Sequence, residues 1–280
     1  MTGILLCHGG VGTRGRQLED MSGIASKSKD EDPLKAVLNA VVLMEDDPRF
    51  NAGTGSVMRI DGSIQMDAAV SVPGKFGAVI NIERVKNPVL VARDVMEKTP
   101  HIAISGSGGI NFARRLGYPD YDPNTEKAMN AYKRMISALK EEDDEERFSV
   151  IRQMISQGII DGPHDTVGAV SCVDGKFAAA VSTGGASPMM RGRVGDVPLV
   201  GAGIYCGEEG AVVATGLGEE IAKRLLCFRI YQRIGSEPLN RILMEEIENM
   251  EGKLAGVIAV TKSENGFFSN GSMGVDSCQF

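Results

Sequence analysis

The sequence of 280 residues has no tryptophan, and aromatic residues make up only 5% of it. It also has no run of about 18 consecutive apolar residues, the length that a membrane-spanning helix requires. The apolar stretch near its start is short and lacks the basic flank of a signal peptide. We therefore expect a cytoplasmic protein with no membrane partner.

Positive charge is scarce as well, since 30 Lys and Arg residues face 37 Asp and Glu residues and leave a net charge of −7. This balance argues against binding to a nucleic-acid backbone. The five cysteines are odd in number and unclustered, which predicts buried thiols rather than disulfides or a metal site. His8 is one of only three histidines, and no nearby Ser and Asp set would form a triad with it, so we expect a structural role for His8.

Glycine is abundant, with 35 residues, and predicts many tight turns and backbone groups that approach a ligand. Helix-like and strand-like segments are interleaved with hairpins, without regular βαβ alternation. This pattern predicts an α+β fold. A helix is expected from Pro33, followed by a loop over residues 44–53. A hairpin is expected to join residues 57–60 to residues 64–72 through Asp61 and Gly62.

A second predicted hairpin runs from residue 167 to residue 183 around Asp174 and Gly175, and Thr166 opens its first strand. A threonine hydroxyl needs a neighbouring base to act as a nucleophile, and a freed α-amino group of the same residue supplies one. That amine has a pKa of about 7.7 to 8. The chain would have to be cut between Asp165 and Thr166 to release it. Taken alone, Thr166 is equally an ordinary β-branched strand residue.

Three further segments carry candidate binding groups. Arg193 and Asp196 lie three residues apart in a loop, where they suit the two charged ends of an amino-acid head group or form a plain ion pair. The segment ATGLGE predicts a strand, a glycine turn and a helix whose first amides attract anions. Asn51 lies in a loop and either donates to an oxyanion or stabilises a turn. The neighbouring triplet Glu45 to Asp47 lacks the ligand spacing of a calcium loop.

Six ordered motifs give these segments a common context: HGGVGT, FNAGTGS, HDTVGAV, STGG, GRVGDVPLVGAG and ATGLGE. Together they closely resemble the plant-type L-asparaginase and isoaspartyl peptidase family, a branch of the N-terminal-nucleophile hydrolases. The resemblance covers nearly the whole chain and weakens between about residues 120 and 163 and after about residue 262.

The resemblance implies a four-layer αββα sandwich, folded as one domain over residues 1–280. It implies self-cleavage into fragments 1–165 and 166–280, pairing into an (αβ)₂ assembly, and a small amino acid or β-aspartyl peptide as substrate. No cofactor is expected for the chemistry.

The resemblance also assigns roles to residues. Thr166 is the nucleophile and Thr183 holds it in place. Asn51, Thr215 and the Gly216 amide stabilise the oxyanion. The α-carboxylate and α-amine of the substrate go to Arg193 and Asp196, with Gly216 and Gly218 beside them. A structural sodium ion is implied on backbone carbonyls of six residues: Met44, Glu45, Asp47, Phe50, Ala52 and Thr54.

Asp165 departs from the family pattern, because most asparaginases have glycine before the nucleophile. The sequence His-Asp-Thr is similar to the glycosylasparaginase branch, and Asp-Thr also appears in threonine aspartase. A glycosylasparaginase-like or threonine-aspartase-like hydrolase is therefore an open alternative. A binding protein of the same fold that never cleaves itself is another.

Overall fold

The computed structural model of the protein describes residues 3–12, 21–139 and 166–280. Within these ranges the chain forms two β-sheets and eight α-helices, which confirms the predicted α+β class. The strands are β1 (Gly3–Gly12), β2 (Met66–Val72), β3 (Lys75–Ile82), β4 (Ala103–Ser105), β5 (Val167–Val173), β6 (Lys176–Thr183), β7 (Ile204–Gly207), β8 (Gly210–Gly216), β9 (Ala255–Thr261), β10 (Asn265–Ser269) and β11 (Ser272–Gln279). The helices are α1 (Ile24–Ser28), α2 (Pro33–Asp46), α3 (Pro88–Lys98), α4 (Gly106–Arg115), α5 (Glu126–Leu139), α6 (Gly218–Arg224), α7 (Leu226–Arg233) and α8 (Leu239–Glu248), with a 3₁₀ turn at Gly53–Gly55.

The larger sheet has seven strands in the order β11-β1-β5-β6-β2-β3-β4, and the smaller has the order β10-β9-β8-β7. All neighbouring strands are antiparallel except β3 and β4. The β5–β6 hairpin is inserted between β1 and β2. Chain segments from both sides of Thr166 therefore share one sheet.

Three apolar clusters divide the elements into packed layers. One lies between the larger sheet and helices α2 and α3, a second lies between the two sheets, and a third lies between the smaller sheet and helices α7 and α8. Successive residues of a strand point to opposite faces. On β6, Ala178 and Ala180 accordingly pack toward the helices, while Ala179 and Val181 pack toward the smaller sheet.

The β5–β6 hairpin turns at Asp174 and Gly175, as predicted. Both residues have positive φ, at 48° and 77°, which is the geometry of a two-residue type I′ turn. Strand β5 begins at Val167, so Thr166 immediately precedes the strand rather than forming its first residue.

Helix α2 begins as predicted, with the Asp32 carboxylate accepting a hydrogen bond from Leu34 N at 2.9 Å and Pro33 in the first turn. It extends to Asp46, so the loop expected from Met44 starts three residues later. Met44 and Glu45 are fully buried, and this packing stabilises the extra turn.

The expected hairpin of residues 57–60 with residues 64–72 is wrong. Asp61 and Gly62 do lie in a turn, where Arg59 N donates to Ser63 O at 2.8 Å. Residues 57–60 form no strand, however, and β2 pairs with β3 and β6 instead. The tight turn at Gly74, with φ of 74°, connects the true hairpin.

Strand β11 was not expected. It pairs with β1 from Ile4↔Gln279 to Gly12↔Ser272 and forms the edge of the larger sheet. All five cysteines lie in described residues and are unpaired, four of them buried, as predicted. None of the described helices combines the length and apolarity needed to cross a membrane.

Gly77 provides a test of the packing between β3 and α3. A Cβ atom there would lie 2.6 Å from Met96 N, so Gly77→Ala forces strand and helix apart. We expect a loss of about 1–3 kcal/mol in the free energy of unfolding, measured by urea denaturation. The matched control is Gly108→Ala on α4, where the added Cβ meets only Ile104 Cγ2 at 3.5 Å. Equal stability of Gly77→Ala and the control would contradict the described packing.

Candidate active site

Three threonines face the space between the two sheets. Thr183 follows Val181 by two residues on β6, and Thr215 follows Val213 by two residues on β8; both valines belong to the cluster between the sheets. Thr166 has the same relation to Gly168 and Val170 on β5. Because β8 packs against β5 and β6, the alternation of side chains directs all three hydroxyl groups into one region.

The Thr166 hydroxyl donates a hydrogen bond to Thr183 Oγ1 at 3.3 Å, and Thr183 Oγ1 also accepts from Gly185 N at 2.9 Å. Thr166 is 7% exposed. The predicted nucleophile is thus held by a neighbouring hydroxyl in a buried position. Asp165, the other half of the predicted cleavage site, lies outside the described residues.

Asn51 lies beside this pair and orders the turn that follows β6. Its side-chain amide donates to Gly185 O at 2.6 Å, and its Oδ1 accepts from Val57 N at 3.0 Å. Its backbone carbonyl accepts from Gly184 N at 2.8 Å. The side chain that the sequence placed near the nucleophile therefore contacts the same turn as Thr183.

Arg193, Asp196 and Gly218 lie close together in the structure. A Cβ atom on Gly218 would lie 2.7 Å from Asp196 Oδ1 and 3.0 Å from Arg193 Nη2, so only glycine leaves space between the two charged groups. Arg193 forms a bidentate ion pair with Glu219, in which Nε donates to Oε1 at 2.9 Å and Nη2 donates to Oε2 at 2.8 Å. The Arg193 guanidinium therefore binds the Glu219 carboxylate through two parallel hydrogen bonds, which is the geometry by which arginine recognises carboxylates.

Asp196, beside Arg193 and Gly218, is a buried acid with a shifted pKa. It is 4% exposed, and its Oδ2 has no hydrogen-bond partner among the described residues. Burial raises the pKa of Asp196 to about 7, although the Arg193 charge opposes the rise. A buried carboxylate oxygen without a donor has a strong tendency to bind a cation or a proton.

Thr215 and Gly216 end β8, and Gly218 begins α6. Gly216 has φ of 136°, and a Cβ atom there would lie 2.7 Å from Ala255 Cα. This backbone conformation is restricted to glycine, and it turns the chain from the sheet into the helix beside Asp196.

The sequence did not reveal one further charged residue at the site. Asp67 lies directly opposite Thr183 in the β2–β6 pairing and is 1% exposed; its Oδ1 accepts from Asn81 N at 2.7 Å, and its Oδ2 has no partner among the described residues. Burial raises the pKa of Asp67, whereas the charges of Arg59 and Arg193 lower it. The one sequence signal that could have indicated Asp67 was its position as a charged residue within an otherwise mainly apolar strand.

Two other buried groups lie next to the threonines. His8 is fully buried opposite Gly168, and burial lowers its pKa to about 3, so its imidazole is neutral. Glu45 accepts from Ser182 Oγ at 2.6 Å and from Val89 N at 3.0 Å, and burial raises its pKa to about 8. Glu45 therefore anchors the residue next to Thr183 from the helix side of the sheet.

Comparison with known proteins gives these features a context. A family model described as "Asparaginase" matches residues 16–274. The chain is 40% identical over 232 residues to a plant-type L-asparaginase of Pyrococcus furiosus, covering 78% of this chain and 75% of the relative. It is 37% identical to an isoaspartyl peptidase/L-asparaginase of Danio rerio over 93% of this chain and 86% of the relative. It is 33% identical to an isoaspartyl peptidase of Escherichia coli over 94% and 88%.

Thr183 gives a structural test of the site that requires no substrate. Thr183→Val keeps the shape of the side chain but leaves the buried Gly185 N without its acceptor. We expect the free energy of unfolding, measured by urea denaturation, to fall by about 1–3 kcal/mol. Thr183→Ser keeps the oxygen and should lose less. The described hydrogen bonds would be contradicted if the valine variant were the more stable of the two.

Proposed function

The chain belongs to the asparaginase family, whose model matches most of it, and we propose that it hydrolyses the side-chain amide of L-asparagine and the β-aspartyl bond of isoaspartyl dipeptides. The observation that carries this proposal is the buried Thr166 hydroxyl, 3.3 Å from Thr183 Oγ1. It lies in the same space between the sheets as Thr215.

The first step is self-cleavage. The Thr166 hydroxyl oxygen attacks the Asp165 carbonyl carbon, and the acyl group moves from the Thr166 nitrogen to its oxygen. Water then hydrolyses the resulting ester, which leaves a carboxylate on Asp165 and a free α-amino group on Thr166. This amine has a pKa of about 7.7 to 8, so a useful fraction is neutral near pH 7.

In turnover, the Thr166 amine accepts the hydroxyl proton while the oxygen attacks the side-chain carbonyl of the substrate. The proton passes to the leaving nitrogen, which departs as ammonia or as the amino group of the second amino acid. Water, deprotonated by the same amine, hydrolyses the acyl-enzyme to L-aspartate. Thr183, which already accepts the Thr166 hydrogen bond, keeps the nucleophile oriented.

The oxyanion of each tetrahedral intermediate is assigned to three donors: the Asn51 amide, the Thr215 hydroxyl and the Gly216 N–H. Donors of this kind contribute about 2.7 to 4 kcal/mol each to acyl transfer. The buried positions of Asn51 and Thr215, 2% and 0% exposed, support the assignment because a low-dielectric site strengthens such hydrogen bonds.

The head group of the substrate is assigned to Arg193 and Asp196. Arg193 binds the α-carboxylate in exchange for Glu219, and Asp196 binds the α-ammonium group. Gly218 leaves room for both groups, with Gly216 beside them. The unpartnered Asp196 Oδ2 supports this assignment, since an ammonium group would supply the donor that it lacks.

The architecture that we propose is the four-layer αββα sandwich, a single domain made from fragments 1–165 and 166–280 and paired into an (αβ)₂ assembly. Three apolar clusters between successive helix and sheet layers support the layering. The shared sheet on both sides of Thr166 supports one domain rather than two.

We also propose a structural sodium ion, which would hold the loop that carries Asn51. Its ligands would be backbone carbonyls of residues Met44, Glu45, Asp47, Phe50, Ala52 and Thr54. The close backbone packing of this loop supports the proposal, because a Cβ atom at Gly53 would collide with Glu45 O and one at Gly55 would collide with Phe50 O, two of the six carbonyls. Bound there, the ion would order the loop and take no part in the chemistry.

Self-cleavage is the decisive test. On a denaturing gel, purified and incubated protein should give two bands, with the newly exposed N-terminus at Thr166 identified by mass spectrometry. Thr166→Ala removes both nucleophile and cleavage, so it should remain one chain and lose activity by about 10⁴-fold or more.

Relative turnover of L-asparagine, β-Asp-Leu and N-linked glycosylasparagine by the cleaved protein distinguishes the hydrolase alternatives. A preference for glycosylasparagine would support the alternative that the protein is a glycosylasparaginase-like hydrolase. A protein that stays in one chain but binds L-aspartate would support the binding-protein alternative and refute the proposal.

The pH dependence of head-group binding tests Asp196. Its pKa of about 7 means that the carboxyl group becomes mainly protonated below pH 7 and then attracts the ammonium group less. We expect the inhibition constant of L-aspartate to rise about tenfold per pH unit below about pH 7. Succinate lacks the ammonium group and serves as the control. The assignment fails if the ratio of the two inhibition constants is constant from about pH 5 to about pH 8.

A further inference from the structure

One large charged side chain at the site has no role in the chemistry described so far. Arg59 is fully buried and is among the largest fully buried side chains of the described residues. Burial lowers its pKa to about 10, so the guanidinium remains charged at neutral pH. A buried charge of this kind adds little to stability compared with an apolar side chain of equal size.

One branch of the guanidinium connects to the loop that carries Arg193. Arg59 Nη2 donates to Gln65 O at 2.9 Å and to Asn81 Oδ1 at 3.4 Å. Both of these residues hold the loop through Gly192: Gln65 Oε1 accepts from Gly192 N at 2.7 Å, and Asn81 Nδ2 donates to Gly192 O at 3.2 Å. Gly192 is the residue immediately before Arg193.

The other branch connects to the turn that supports the nucleophile. Arg59 Nη1 contacts Met189 Sδ, and a Cβ atom on Gly185 would lie 2.9 Å from Arg59 Nη1. Gly185 N is the donor to Thr183 Oγ1, which accepts from the Thr166 hydroxyl. The guanidinium is therefore packed directly against the turn that orients the reacting oxygen.

The charges around the Arg59 guanidinium favour a fixed orientation of its side chain. The Asp67 carboxylate, opposite Thr183, is stabilised in its charged form by Arg59. The Asp67 carboxylate also accepts a hydrogen bond from the backbone N–H of Asn81, and the Asn81 side chain in turn contacts Arg59. The planar guanidinium holds several acceptors at fixed relative positions, which a lysine ammonium cannot do.

We propose that Arg59 is a positioning residue that fixes the head-group loop of Arg193 relative to the Thr166–Thr183 pair. The inference rests on the proposed function of these residues. In this view Arg59 sets the distance between the bound α-carboxylate and the attacking oxygen. Displacements of about 1 Å in such a distance cost about 10²-fold in rate.

The test compares Arg59→Met and Arg59→Lys with the unchanged protein for self-cleavage, kcat and KM with L-asparagine and β-Asp-Leu. Arg59→Met keeps an unbranched apolar side chain and removes the guanidinium with all of its donors. We expect it to raise KM and lower kcat, each by about 10-fold or more. Arg59→Lys keeps the charge without the fork and should restore kcat only in part.

Asn81→Gly tests the branch toward Gly192 separately and keeps Arg59 in place. It therefore gives a result even if the Arg59 variants misfold. Asn81 has φ of 51°, so glycine keeps its backbone conformation while the contacts to Arg59 and Gly192 are lost. The Asn81 N–H that holds Asp67 is kept as well. We expect a higher KM with nearly unchanged kcat, since only the head-group branch is affected.

Arg233→Met is the matched control, because Arg233 of α7 pairs with Glu246 of α8 at 3.0 Å and, among the described residues, its ion pairs involve only glutamates outside the site. It should lower the thermal midpoint while kcat and KM stay unchanged. If the unchanged protein neither cleaves itself nor turns over substrate, the proposed function fails. If it is active and the Arg59 and Asn81 variants match its kcat and KM, the positioning role of Arg59 is overturned.

Discussion

The register of the β5–β6 hairpin is the constraint on which the site depends. The two-residue turn at Asp174 and Gly175 pairs Val167 with Ser182 and thereby places Thr166 beside Thr183, with both hydroxyl groups directed between the sheets. A one-residue shift of β5 along β6 would turn the Thr166 side chain toward the helices and away from Thr183, since side chains alternate along a strand. The Ser182 contact to Glu45 on the opposite face adds a second restraint against such a shift.

Around this pair, the protein keeps several charges away from water and leaves some of their atoms without partners. Asp67 Oδ2, Asp196 Oδ2 and Arg59 Nε all lack hydrogen-bond partners among the described residues. Unpaired buried groups cost stability. The cost is offset at the level of the whole fold by the three apolar clusters, and the result is a site whose electrostatic groups are already in place before a ligand arrives.

Sequence patterns predicted the β5–β6 hairpin and the start of α2, because each depends on local turn or capping chemistry. The grouping of Gly218 with Arg193 and Asp196 was implied by the family resemblance alone, because Gly218 lies far from them in the chain. They did not predict Asp67 or Arg59, which reach the site through strand pairing and a turn far from it in sequence. The hairpin of residues 57–72 was wrong because the Asp61–Gly62 signal marks a turn without a returning strand. Strand β11 was missed because its pairing with β1 joins opposite ends of the chain.

The insertion of β5 and β6 between β1 and β2 would keep the molecule together if the bond before Thr166 is cut as proposed. Each fragment would remain hydrogen-bonded to the other along three ladders, β1–β5, β2–β6 and β1–β11, so the cut would create new chain ends without releasing either fragment. Unfolding would then yield two separate polypeptides whose reassembly depends on their concentration. The apparent stability of the cut protein would therefore depend on its concentration, as it does for other complexes of two chains.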